Sequence, residues 1–107
     1  MSFRVVLTAG AAQDLAEIDE YLERNAGPAV AADTLGRLER RCEELAMLPD
    51  RGNIPPELEA LGIRDYRELH ERPYRIVYRV LGSDVVIYVV ADARRDFRSL
   101  LERRLLR

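Results

Sequence analysis

Lysine is absent from this sequence. All 17 basic residues of the 107 are arginine, and a guanidinium stays protonated near neutral pH, so none of them can shuttle a proton there. Soft ligands are equally scarce, with one cysteine, Cys42, and one histidine, His70. A lone cysteine forms no internal disulfide, and one Cys with one His falls short of a zinc site. No metal and no cofactor is expected, and Cys42, on an apolar helical stripe, reads as a small buried hydrophobe rather than a nucleophile. Long apolar runs are missing too. The N-terminal MSFRVVLTAG turns polar too soon for a secretory segment or a membrane span. The reading is a cytoplasmic protein with no membrane partner.

What is present is a well-filled globular composition, 48% apolar and 34% charged, without repeats or low-complexity runs. At this length the chain reads as one domain over residues 1–107, able to bury a single core. The net charge of −2 conceals an asymmetry. Residues 1–62 hold six arginines against twelve acids, a net of −6, and residues 63–107 hold eleven against seven, a net of +4. A polarised chain of this kind points to an anionic or acidic partner for its second half.

Phe3–Leu7 reads as a short strand. Thr8 stands at an N-cap position, and Leu15, Ile18, Tyr21 and Leu22 then recur at helical spacing, with Asp14, Glu17, Asp19, Glu20 and Glu23 on the other face. This predicts an amphipathic helix to about Asn25, closed by Gly27. Pro28 suits the first turn of a second helix, whose stripe of Ala31, Leu35, Leu38, Cys42 and Leu45 runs until Pro49. The short link makes the two an antiparallel hairpin. Pro49–Pro56 is a loop, and Glu57–Leu61 one helical turn.

From Ile63 the period changes to two. Ile63–His70, Pro73–Val80 and Val85–Ala91 read as three strands joined by tight turns, an antiparallel meander whose nearly all-apolar third strand lies centrally. Phe97, Leu100, Leu101 and Leu105 space a short terminal helix. The fold class is α+β, in the order β-α-α-β-β-β-α, with the helical hairpin on one face of an antiparallel sheet. The stretch YRIVYRV, Tyr74 to Val80, alternates strictly: Tyr74, Ile76, Tyr78 and Val80 on one side, Arg75, Val77 and Arg79 on the other. This predicts a half-buried strand with its arginines on an uncovered face.

The order of elements, with P-x-x-G (Pro49 to Gly52), P-E-L (Pro56 to Leu58), Y-R-E-L (Tyr66 to Leu69), Y-R-I-V-Y-R-V, I-Y-V-V (Ile87 to Val90) and R-R-D (Arg94 to Asp96), resembles the RelE/ParE superfamily of toxins from bacterial type II toxin–antitoxin operons. The resemblance covers nearly the whole chain. It implies either of two activities on one fold, ribosome-dependent mRNA cleavage as in RelE-like members or poisoning of DNA gyrase as in ParE-like members.

A ribonuclease of this type needs a proton acceptor, a proton donor and cations at the phosphorane. Arg75 and Arg95, or Arg94 with a one-residue slip, match the nuclease arginines, and His70 is the candidate base. Tyr66 and Tyr78 are candidate donors that read more readily as packing residues, and Glu68 and Glu71 are candidate bases that read more readily as arginine partners. The lysines that RelE-like nucleases carry on the first meander strand are replaced by Arg67 and Glu68, and Phe97–Arg107 holds neither Tyr nor His.

The ParE-like reading implies no catalytic residue, no cofactor and no sequence-specific DNA binding. Gyrase contacts would come from Arg67, Arg75, Arg79, Arg94, Arg95 and Arg98, with Arg103 and Arg104 beyond them. The resemblance further implies a cognate antitoxin, ParD-like or similar. It would bind the hairpin through Leu15, Ile18, Leu22, Leu38 and Leu45, which serve equally as core positions. A module that binds antitoxin without toxicity stays open as a third reading.

Overall fold

In the computed structural model, which describes residues 2–106, Thr8 sets the start of the first helix. Its hydroxyl accepts from the Ala11 amide at 3.0 Å, an N-cap worth about 1 kcal/mol. Strand β1 (Arg4–Leu7) leads into α1 (Ala9–Ala26), which ends at Gly27 with φ +95°. That value lies in the left-handed region glycine enters without strain. Helix α2 (Pro28–Glu44) starts on Pro28, and a single turn, α3 (Pro56–Glu59), follows the loop. Strands β2 (Arg67–Glu71), β3 (Tyr74–Leu81) and β4 (Asp84–Asp92) form the meander, and α4 (Phe97–Leu105) ends the fold. Asp96 caps α4 by accepting from the Ser99 amide. The first meander strand, β2, is shorter at its start than its sequence pattern, because Ile63 donates back to the Leu58 carbonyl and closes the α3 turn instead of joining the sheet.

The sheet order is β1-β4-β3-β2. The meander is antiparallel, and β4 lies centrally, as its apolar sequence predicts. Strand β1 joins β4 in parallel, Arg4 opposite Asp84 and Leu7 opposite Ile87. The sheet is therefore mixed. Opposite Val77 stands Val89, but opposite Tyr78 stands Ile87, so Tyr88 is an extra residue on β4. Such a bulge reverses the in–out alternation downstream. Ile87 and Val90 thus share one core, while Tyr88, Val89 and Ala91 belong to the other.

Those two cores correct the expectation of an uncovered face. The hairpin covers one side of the sheet, burying Leu38, Leu45, Ile76, Tyr78 and Ile87. Helices α3 and α4 cover part of the other, where Leu58, Tyr66, Val77, Val89, Phe97, Leu100 and Leu101 pack together. Five consecutive residues of β3, Tyr74 to Tyr78, are buried. The face bearing Arg75 is closed by Leu58 of α3 and Phe97 of α4, two short helices that their own patterns predict without saying on which face of the sheet they dock.

Candidate functional site

Arg75 sits inside this second layer. Its residue exposure is 7%. The guanidinium donates from Nε to Glu68 Oε1 at 2.6 Å and from both Nη atoms to the Glu57 carboxylate at 2.9 and 2.7 Å. The Phe97 ring lies 3.9 Å from its central carbon. Two carboxylates and an aromatic face use the whole cation, and the pairing holds the Glu57 carboxyl below its usual range. Glu68, 1% exposed, also accepts from Asn53 Nδ2 at 2.9 Å, and His70 Nε2 lies 3.4 Å from Glu68 Oε2 while remaining largely exposed. The P-E-L and Y-R-E-L motifs thus supply the partners of one buried arginine.

The P-x-x-G motif has a similar explanation. The Tyr78 hydroxyl donates to the Pro49 carbonyl at 2.7 Å and accepts from the Gly52 amide at 3.0 Å, clamping the loop onto the sheet. The next residue, Asn53, forms an isolated antiparallel backbone bridge with Glu68 of β2. A Cβ at Gly52 would overlap the Glu68 carbonyl oxygen and lie 2.9 Å from the Tyr78 hydroxyl.

The remaining arginines do not share one surface. Arg67 donates to the Gly52 carbonyl at 2.8 Å on the β2 edge. Arg79 stands over Tyr66, 5.6 Å from the ring centre, with Asp65 at 3.8 Å. Arg98 is exposed on α4 and pairs with Glu102 at 3.3 Å, beside an open depression lined by Pro56, Glu57, Ala60 and Leu61. Arg104 is partly buried, bonding both oxygens of Asp14 and the Tyr88 carbonyl. Arg103 is exposed. Of the predicted contact set, Arg75 is a buried cation, Arg67 is partly exposed on the β2 edge and Arg95 is exposed on the loop before α4.

Arg94 and Arg95 do come together, at a cleft of about 370 Å³ between the second half of α1 and the β4–α4 loop. Glu17, Ile18, Tyr21, Tyr74 and Val90 line it with them. Arg94 is held by Asp92, Nη2 to Oδ2 2.6 Å, whereas the Arg95 side chain has no acceptor among the described residues. The neighbouring turn is fixed by the Ala93 amide donating to the Pro73 carbonyl at 2.8 Å.

Of the apolar residues assigned to a partner groove, Leu38 and Leu45 are fully buried and present no surface. Their stripe faces the sheet. Leu15, Ile18 and Leu22 on α1 keep part of their surface. Asp14 departs from the outer polar face predicted for it. It is 9% exposed and accepts from the Val90 amide at 2.9 Å, because β1 ends at Leu7 and leaves this stretch of the β4 edge without a strand partner. Nothing in the local sequence of α1 signals that role, since Val90 and Arg104 lie far along the chain.

Cys42 is buried, and burial, with Glu39 and Glu43 nearby, pushes its thiol up to about 11. It is not poised as a thiolate. Among the described residues no group of three or more His, Cys, Asp or Glu side chains is placed to hold a metal ion, and no helix is long and apolar enough to cross a membrane.

Comparison with known proteins adds the family. The model of the ParE toxin of type II toxin–antitoxin systems matches residues 5–97. Toxin ParE3 of Caulobacter vibrioides is 28% identical over 102 residues, spanning 92% of this chain and 94% of that protein. The structure resembles that of the chromosomal ParDE toxin–antitoxin system from P. aeruginosa, with a TM-score of 0.71, 22% identity and coverage of 85% of this chain and 96% of that one. It also resembles the RelBE2 toxin–antitoxin complex from Mycobacterium tuberculosis, with a TM-score of 0.58, 23% identity and coverage of 86% and 99%. An arginine double mutant of the E. coli toxin RelE in the free state superimposes with a TM-score of 0.63 at 14% identity, covering 94% and 93%.

Proposed function

The chain belongs to the ParE toxin family of type II toxin–antitoxin systems, and from that premise we propose that it inhibits cell growth by poisoning DNA gyrase and is neutralised by a cognate antitoxin. The state of Arg75 carries the choice between the two activities of the superfamily. In a nuclease the matching arginine would have to reach a phosphate. Here the guanidinium is buried, doubly neutralised and stacked on Phe97. Bringing a phosphorane to it would require stripping away two carboxylates that repel the same charge. His70 has as its carboxylate neighbour the buried Glu68, which already serves Arg75 and Asn53.

A poison acts by docking, so its determinants are exposed contacts. Arg98 on α4 and Arg94 and Arg95 on the preceding loop are the accessible members of the predicted set, with Arg67 and Arg79 partly available. For the antitoxin, Leu15, Ile18 and Leu22 on α1, partly buried but keeping some surface, offer an apolar stripe suited to a packed helix. The location of such a protein would be the cytoplasm, where gyrase works.

The test is a gyrase reaction with purified protein, supercoiled plasmid and ATP. Linear DNA should accumulate with the wild-type chain and fall several-fold with Arg98→Ala, a change on an exposed helix face that leaves the fold intact. Untouched plasmid topology together with site-specific cleavage of ribosome-bound mRNA would transfer the assignment to the nuclease reading.

A further inference from the structure

We draw no further inference here: the strongest candidate, the apolar surface patch of Met47, Leu48 and Pro49 in the turn that follows α2, around a depression of about 420 Å³, carries nothing because nothing in the structure shows what covers it.

Discussion

Arg75 on β3 and Glu68 on β2 form a diagonal pair across adjacent strands with Nε 2.6 Å from Oε1, and both are almost fully buried. A buried ion pair contributes little by itself but is costly to break, because the survivor is left charged and dry. Arg75→Ala, which strands Glu68 and partly strands Glu57, should lower stability by about 3–5 kcal/mol in urea denaturation. The triple change Arg75→Met, Glu68→Leu, Glu57→Gln should recover most of that loss, a non-additivity that identifies the cluster as a structural pin.

Acid should weaken the same pin. The Glu57 carboxyl is held below its usual range chiefly by the hydrogen bonds from Arg75. A carboxyl whose pKa is depressed on folding adds stability that is complete above its unfolded value and fades as the pH falls through the folded one. Stability measured across the acid limb should therefore fall from the ordinary carboxylate range downward. In Glu57→Gln that limb should be shallower, with lower stability at neutral pH.

The loop clamp gives a third outcome. Tyr78→Phe removes the acceptor of the Gly52 amide and the donor to Pro49 and should cost about 1–3 kcal/mol. Gly52→Ala, whose new methyl meets backbone as well as the Tyr78 hydroxyl, should cost about as much by overpacking. Neither change touches Arg94, Arg95 or Arg98, the exposed arginines of the predicted contact set, so plasmid linearisation, measured well below the melting temperature, should be unchanged by both.

Asp14 ties α1, β4 and α4 together. Asp14→Ala frees the Val90 amide and leaves Arg104 without its carboxylate. Hydrogen exchange should quicken at Val90 and along α4 ahead of the rest of the sheet, as local opening without global unfolding does. Uniform quickening across all strands would mean that α4 has no separate opening step.

Local chemistry made much of this fold readable. Thr8, Gly27 and Pro28 bound the hairpin as caps must, and the switch to period two at the meander predicts three strands in order. What escaped the pattern was coverage. Arg75 alternates with Ile76 as a solvent-facing residue would, and its burial depends on Glu68, seven residues away, and Glu57, eighteen away. The bulge at Tyr88 is invisible within a nearly all-apolar strand, since either alternation reads the same. The cleft was half legible. Arg94 and Arg95 stand out as a motif, but Tyr74 looks like core, and Glu17 and Ile18 belong to a helix some seventy residues earlier.

The most direct measurement is the gyrase reaction with wild-type protein, supercoiled plasmid and ATP, run beside Arg75→Lys and Arg98→Ala variants checked for folding. Linear DNA that appears with wild type and with folded Arg75→Lys, and is lost with Arg98→Ala, is the result predicted for a docking poison whose buried arginine is structural. Unaltered plasmid with wild type, or mRNA cleavage on ribosomes that disappears with folded Arg75→Lys, would contradict it.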